Sequence, residues 1–204
     1  MHQYKGKLII HTGSMFSGKT SSLKKDLNRF KIAGYKVIAY KPTVDTRGGE
    51  MITVHGEGGM EAIGISSIEE LSKDVFSKKP EVIGIDEVQF LGGDVEEIKN
   101  QLLEILKNGI TIVVAGLDMD YNGIAFEVVK ELLPISDYLN KHHAVCTMCG
   151  TDAWVSHRKA NSGDRVLIGA ADEYEPLCRT CYNSVVEEEK REVNRNQIKL
   201  ELAE

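Results

Sequence analysis

The residues in this chain best suited to chemistry are one lysine, one threonine, two adjacent carboxylates and four cysteines. Lys19 and Thr20 close the segment GSMFSGKT, Gly13 to Thr20, whose spacing G-x-x-x-x-G-K-T is that of a phosphate-cradling loop. Gly13, Ser14, Met15, Phe16, Ser17 and Gly18 offer backbone N–H groups to a concave nest at a helix N-terminus, where the dipole also favours anions. Lys19 brings a point charge for the β- and γ-phosphates, and the Thr20 hydroxyl can ligate Mg²⁺. Asp86 ends the apolar run VIGI, the usual place for a carboxylate on the Mg²⁺ side of such a site, acting directly or through a water. Glu87 beside it is a base that can polarise water or an alcohol, and spacing alone does not choose between hydrolysis and transfer.

The cysteines form two C-x-x-C pairs, Cys146/Cys149 and Cys178/Cys181, with 28 residues between the pairs. Two such knuckles hold tetrahedral Zn²⁺ with four thiolates, a closed and therefore structural site. His142 and His143 precede the first pair, but four thiolates already suffice, so both histidines are expected at the surface. The segment between the pairs is too polar and glycine-containing to build its own core. Zinc would supply the missing folding free energy and pin both ends of a lid.

The elements that position these groups alternate. KLIIHT reads as a buried strand, residues 20–33 as a helix stopped near Gly34, and YKVIAYKP as a second strand. The glycine-rich stretch TVDTRGGEMITVHGEGGMEAIGI is expected to be mobile or adaptable. Ser67 and Glu70 have capping-box spacing and open a helix to about Ser77. PEVIGIDEVQF is a third strand, Asp94 and Glu97 start another helix that Gly109 stops, and ITIVVAGLD is a fourth strand, β-branched enough to be buried on both faces. The pattern predicts an α/β fold of P-loop NTPase type: a parallel sheet flanked by helices, with a small C-terminal zinc-binding lid. His11–Gly13, Asp86–Glu87 and Leu117–Asp118 then share the C-terminal strand ends, where such sheets bind ligands. The expected divisions are an ATP-binding domain at 1–140, a zinc lobe at 141–184 and a charged tail at 185–204, an exposed helix or a disordered segment.

Composition narrows the class. The 204 residues are 42% hydrophobic and 27% charged, with a formal net charge of -6, which exerts no overall pull toward nucleic acid or anionic membrane. Between Lys141 and Tyr182 five Lys or Arg balance five Asp or Glu, so the zinc lobe lacks a phosphate-backbone footprint. The N-terminus does not read as a signal peptide and no apolar run approaches the roughly 18 residues of a membrane span, so a cytoplasmic protein is expected.

Read together, MFSGKT (15–20), KP with DTR (41–47), IDEVQF (85–90), AGLDMDY (115–121), both cysteine pairs and IGAADEYEPLCRTCY (168–182) resemble the type II, zinc-containing thymidine kinases, in register from about Lys7 to Tyr182. The resemblance implies transfer of the ATP γ-phosphate to the 5′-hydroxyl of thymidine, with deoxyuridine tolerated, giving dTMP. It makes Glu87 the catalytic base and places Asp45, Thr46, Arg47, Asp86, Val88 and Gln89 in the nucleotide site. It makes the excursion between the cysteine pairs a lasso whose Arg165, Val166, Leu167, Ile168 and Gly169 hold the base through the backbone. Tyr174 and Tyr121 become aromatic residues near the substrate, and Met15, Phe90 and Leu117 pocket walls. A homotetramer inhibited by dTTP follows from the same resemblance.

The chain departs from the family pattern at four positions. Ser14 replaces a proline, Tyr121 a phenylalanine, Ala125 the proline of KPF, which should loosen that loop, and Ala170 the second glycine of IGG. Two other classes compete: a P-loop ATPase whose zinc lobe binds nucleic acid, and a zinc-stapled nucleotide-binding scaffold without turnover, in which Glu87 is expendable.

Overall fold

The computed structural model describes residues 5–45, 51–54, 57–159 and 173–201. Strand β1 (Leu8–Gly13) leads through the glycine loop to α1 (Lys19–Ile32) and β2 (Val37–Pro42), after which β3 (Met51–Val54) and β4 (Glu57–Glu61) pair as an antiparallel hairpin. Then come β5 (Ile63–Ile65), α2 (Ile68–Lys78), β6 (Val82–Ile85), α3 (Val95–Lys107), β7 (Thr111–Gly116), α4 (Glu127–Leu132) and β8 (Tyr138–His142). The hairpin β9 (Val155–Arg158) and β10 (Tyr174–Leu177) and the long helix α5 (Arg179–Glu201) complete the chain.

Six strands form one sheet in the order β5-β2-β6-β7-β1-β8, and every pair in it is parallel. Alternation along β1 explains its central place. Leu8 and Ile10 enter the core shared with α2, α3 and α4, while Ile9 faces Leu23, Leu27 and Phe30 of α1. The α1 face also receives Ile52, Met60 and Ala62, so the glycine-rich stretch contributes apolar cover to the sheet.

Local signals set the helix ends. Ser67 Oγ accepts from Glu70 N at 3.3 Å, as a capping box requires, but Glu70 Oε2 reaches back one residue further, to the backbone N (2.7 Å) and Oγ (2.6 Å) of Ser66. Asp94 accepts from the backbone of both Glu96 and Glu97, a cap worth about 1 kcal/mol.

Several elements went unread in the sequence: the hairpins β3–β4, within the stretch expected to be mobile or adaptable, and β9–β10, and also β8, β5 and α4. Strand β8 lies at the sheet edge with Tyr138 to Lys141 exposed, so YLNKH carries no buried-strand signature. Strand β5 has only three residues, and α4 only six. Helix α5 runs unbroken through residue 185, where the sequence suggested a separate tail. Its first turns pack Cys181, Tyr182 and Val185 on a small cluster of Ala144, Cys146, Ala153 and Leu177, so the zinc lobe does own a miniature core. Among the described residues no helix is long and apolar enough to cross a membrane.

Candidate active site

The glycine loop leaves the C-terminal end of β1 and enters α1 through Gly18, whose φ of 82° only glycine adopts without strain. Gly13 is more constrained: its φ is 138°, and a Cβ there would collide with the carbonyl of His142 on β8. Lys19 is buried and its Nζ donates to the Ser14 carbonyl at 2.6 Å, closing the loop on itself, with the Ser17 hydroxyl donating to the same oxygen at 2.8 Å. Phe16, with φ 63°, is 45% exposed at the loop tip. Met15 is tied from outside, its N–H donating to Ser156 Oγ of β9 at 2.8 Å across 141 positions of sequence.

The acidic pair sits where the sequence put it, beyond the end of β6. Thr20 Oγ1 donates to Asp86 Oδ1 at 3.2 Å, and the Glu87 N–H donates to the same oxygen at 3.1 Å. Burial first, and then the neighbouring Glu87 carboxylate, push Asp86 up to about 7. A Thr hydroxyl and a buried carboxylate beside a phosphate loop are a donor set that suits Mg²⁺, whose positive charge would hold Asp86 ionised. Glu87 has a left-handed backbone, φ 49° and ψ 43°, a conformation that costs a non-glycine residue about 1 kcal/mol or more and recurs at functional sites. Its carboxylate Oε2 accepts from Gln89 Nε2 at 2.5 Å, while Gln89 Oε1 accepts from the Leu117 N–H at 3.0 Å. Gln89 therefore braces Glu87 against the end of β7. Val88 between them points the other way, into the main core.

Beneath the loop runs a chain of polar groups. His11 Nδ1 lies 3.0 Å from His142 Nε2, and His11 Nε2 lies 3.1 Å from Asp26 Oδ2 of α1. His142 is thus half-buried, correcting its expected place at the surface. Its imidazole is held below its ordinary pKa by desolvation and then by His11, Lys19 and His143. His143 is exposed, as expected, with Nδ1 3.1 Å from the Ala153 carbonyl.

The four cysteine sulfurs lie within 4.8 Å of one another, and Cys149 and Cys178 are 3.6 Å apart. Zn–S bonds of about 2.3 Å in a tetrahedron require S···S edges of about 3.8 Å, so the residues fit zinc. The Cys181 N–H donates to Cys178 Sγ at 3.4 Å and helps draw that thiol down to about 6, while the Cys178 side chain pushes Cys181 up to about 12. All four thiols could ionise together only beside a cation, the charge Zn²⁺ would supply.

On the other side of the lobe, Arg158 of β9 lies between two aromatic rings. Its Cζ is 3.9 Å from the centroid of Tyr121 and 5.4 Å from that of Tyr174, and Nη2 donates to the Tyr174 hydroxyl at 3.0 Å. Tyr121 is fixed within a turn in which Asp120 Oδ1 accepts from the N–H groups of Asn122 and Ile124, each at 3.0 Å, and the Asp120 N–H donates to the Ile124 carbonyl at 2.8 Å. The turn is also bridged between Met119 and Ala125.

A family model described as thymidine kinase matches residues 6–182. The chain belongs to the thymidine kinase family. It is 38% identical to a thymidine kinase of Bacteroides fragilis over 187 residues, covering 91% of this chain and 92% of that one. A thymidine kinase of Bacteroides thetaiotaomicron is 39% identical over 179 residues, 87% of each chain, and one from a Rhodothermus species is 36% identical over 178 residues, covering 87% and 81%. Membership in the family implies the use of ATP.

For this thymidine kinase family member the structure brings Gly13–Thr20, Asp86, Glu87 and Gln89 together at the C-terminal strand ends, with Leu117 joined to them by Gln89. Asp45 follows β2, buried and 3.9 Å from Lys41 Nζ. Phe90 is half-buried, edge-on to Phe126. Thr46, Arg47, Arg165, Val166, Leu167, Ile168, Gly169 and Ala170 lie outside the described residues. Sequence reading missed Ser156 and Arg158, both in WVSHRK. A buried serine and arginine in one short strand leave no periodic trace in the sequence.

Proposed function

We propose that this protein transfers the γ-phosphate of ATP to the 5′-hydroxyl of thymidine, and of deoxyuridine, releasing ADP and the nucleoside monophosphate. The observation that carries the reading is the braced Glu87, 2.5 Å from Gln89 Nε2, directly beside the Asp86–Thr20 pair at the mouth of the phosphate loop. A carboxylate fixed beside the metal carboxylate can take a proton from water or from an alcohol, and membership in the thymidine kinase family favours the nucleoside alcohol.

In this reading the loop N–H groups and Lys19 hold the phosphates, Lys19 exchanging the Ser14 carbonyl for phosphate oxygen. Thr20 and Asp86 would hold Mg²⁺, which would neutralise developing negative charge on the phosphates. Glu87 accepts a hydrogen bond from the 5′-OH and takes its proton as the O5′–P bond forms and the bond from phosphorus to the β–γ bridging oxygen breaks. Asp45, Thr46, Arg47, Val88 and Gln89 complete the nucleotide site. Tyr121, Tyr174 and residues 165–169 are assigned to the nucleoside through the resemblance. The four cysteines bind Zn²⁺ as a structural ion. A homotetramer, inhibition by dTTP and a cytoplasmic location belong to the reading through the resemblance, and indifference to nucleic acid through the balanced charge of the zinc lobe.

ATP consumption with Mg²⁺ is to be measured against thymidine, deoxyuridine, deoxycytidine, deoxyguanosine, single-stranded DNA and no acceptor. Turnover confined to the first two supports the reading. Turnover stimulated by DNA, or equal without acceptor, overturns it.

A further inference from the structure

Arg158 is the last residue of β9 and only 5% exposed. A guanidinium so placed costs desolvation, and the small apolar cluster of the lobe does not include it. What it does touch is specific. Across the β9–β10 register it pairs with Tyr174, and Nη2 donates to that hydroxyl at 3.0 Å. Its Cζ also lies over the ring of Tyr121, 3.9 Å from the centroid, and that ring arrives from the β7–α4 connection. The Tyr121 carbonyl accepts from the Tyr182 hydroxyl of α5 at 3.1 Å, fixing the backbone that carries the ring. One cation thus sets the position of two aromatic rings delivered by separate segments, one from the α/β body and one from the zinc lobe.

We propose that Arg158 is a positioning residue for the nucleoside: it fixes the spacing and tilt of Tyr121 and Tyr174, the rings against which the pyrimidine packs. The inference rests on the reading of those two tyrosines as nucleoside contacts. Both the stack and the hydrogen bond depend on a planar, forked cation. Lysine keeps the charge and the buried stem but cannot make both at once.

The test compares Arg158→Lys and Arg158→Ala with the parent as full-length zinc-loaded protein, measuring KM for thymidine, KM for ATP, zinc content and melting temperature. The expected result is a nucleoside KM raised roughly tenfold or more in both variants, with the ATP KM within about twofold and zinc retained. Should the alanine variant fail to fold, the lysine variant carries the measurement. A nucleoside KM within about twofold of the parent overturns the proposal. So does a parallel rise in both KM values with loss of zinc, because Arg158 would then only support the lobe. Tyr121→Ala and Tyr174→Ala separate the proposal from the reading beneath it. If they leave the thymidine KM unchanged, the assignment of the tyrosines has failed; if they raise it and Arg158→Lys does not, only the role of Arg158 has.

Discussion

The side-chain amide of Gln89 joins Glu87 to Leu117, donating to the Glu87 carboxylate at 2.5 Å and accepting the Leu117 N–H at 3.0 Å. One buried amide therefore holds the proposed base and the end of β7 in a fixed relation. Gln89→Leu removes both bonds and leaves a half-buried N–H without its acceptor. We expect kcat to fall about tenfold or more, the ATP KM to change little, and stability to drop by about 1–3 kcal/mol in denaturant unfolding.

Glu87→Gln preserves size and removes the proton acceptor. Steady-state kinetics should show kcat lowered by about 10²–10⁴ with ATP binding retained, the range for loss of a general base. Unchanged turnover would favour the scaffold reading in which Glu87 is expendable.

Gly13→Ala places a Cβ against the His142 carbonyl in a backbone region closed to L-residues. Neither neighbour can yield, since both belong to hydrogen-bonded strands of one sheet. Destabilisation of more than about 3 kcal/mol is expected in thermal or urea unfolding, with ATP binding lost even in the folded fraction.

Zinc removal should reach the phosphate loop. Strand β9 lies in the zinc lobe and its Ser156 accepts the Met15 N–H. Chelation of zinc, or Cys178→Ser, should lower the melting temperature and raise the nucleoside KM. It should also speed hydrogen exchange at the Met15 amide. Ser156→Ala should speed that exchange with zinc still bound, at a cost of about 1 kcal/mol.

The His11 hydrogen bond, foremost, holds the Asp26 carboxyl below its ordinary pKa. A carboxylate depressed on folding contributes stability that is complete above its unfolded value, about 3.9, and is lost as pH falls through its lower folded value. Asp26→Asn should therefore destabilise the protein by about 1 kcal/mol at pH 7. In urea titrations the gap should narrow only below about pH 4. A gap that stays constant to lower pH would show that the ionised carboxylate is not what stabilises.

What was legible in the sequence was what local physics writes. The caps at Ser67 and Asp94, the apolar runs of β1, β6 and β7, and the glycine loop each declare themselves within a few residues. The four cysteines do so by pairing alone. The unread parts depend on distant partners. Tyr138 to Lys141 form a strand because β1 offers them hydrogen bonds, and their exposed side chains say nothing of it. His142 is drawn inward by His11, a contact 131 positions away. Arg158 and Ser156 became visible only once β9 was laid beside β10 and over the loop.

The place of β1 in the sheet has a consequence for how the chain folds. Its neighbours are β7, ending at Gly116, and β8, ending at His142. Six residues buried along their whole length therefore depend, on both edges, on strands that lie far along the sequence. Such a non-local pairing is slow to form and leaves an apolar strand open to wrong partners meanwhile. Competence to hold a nucleotide therefore rests on long-range pairing, because the loop that grips the phosphates hangs from that strand.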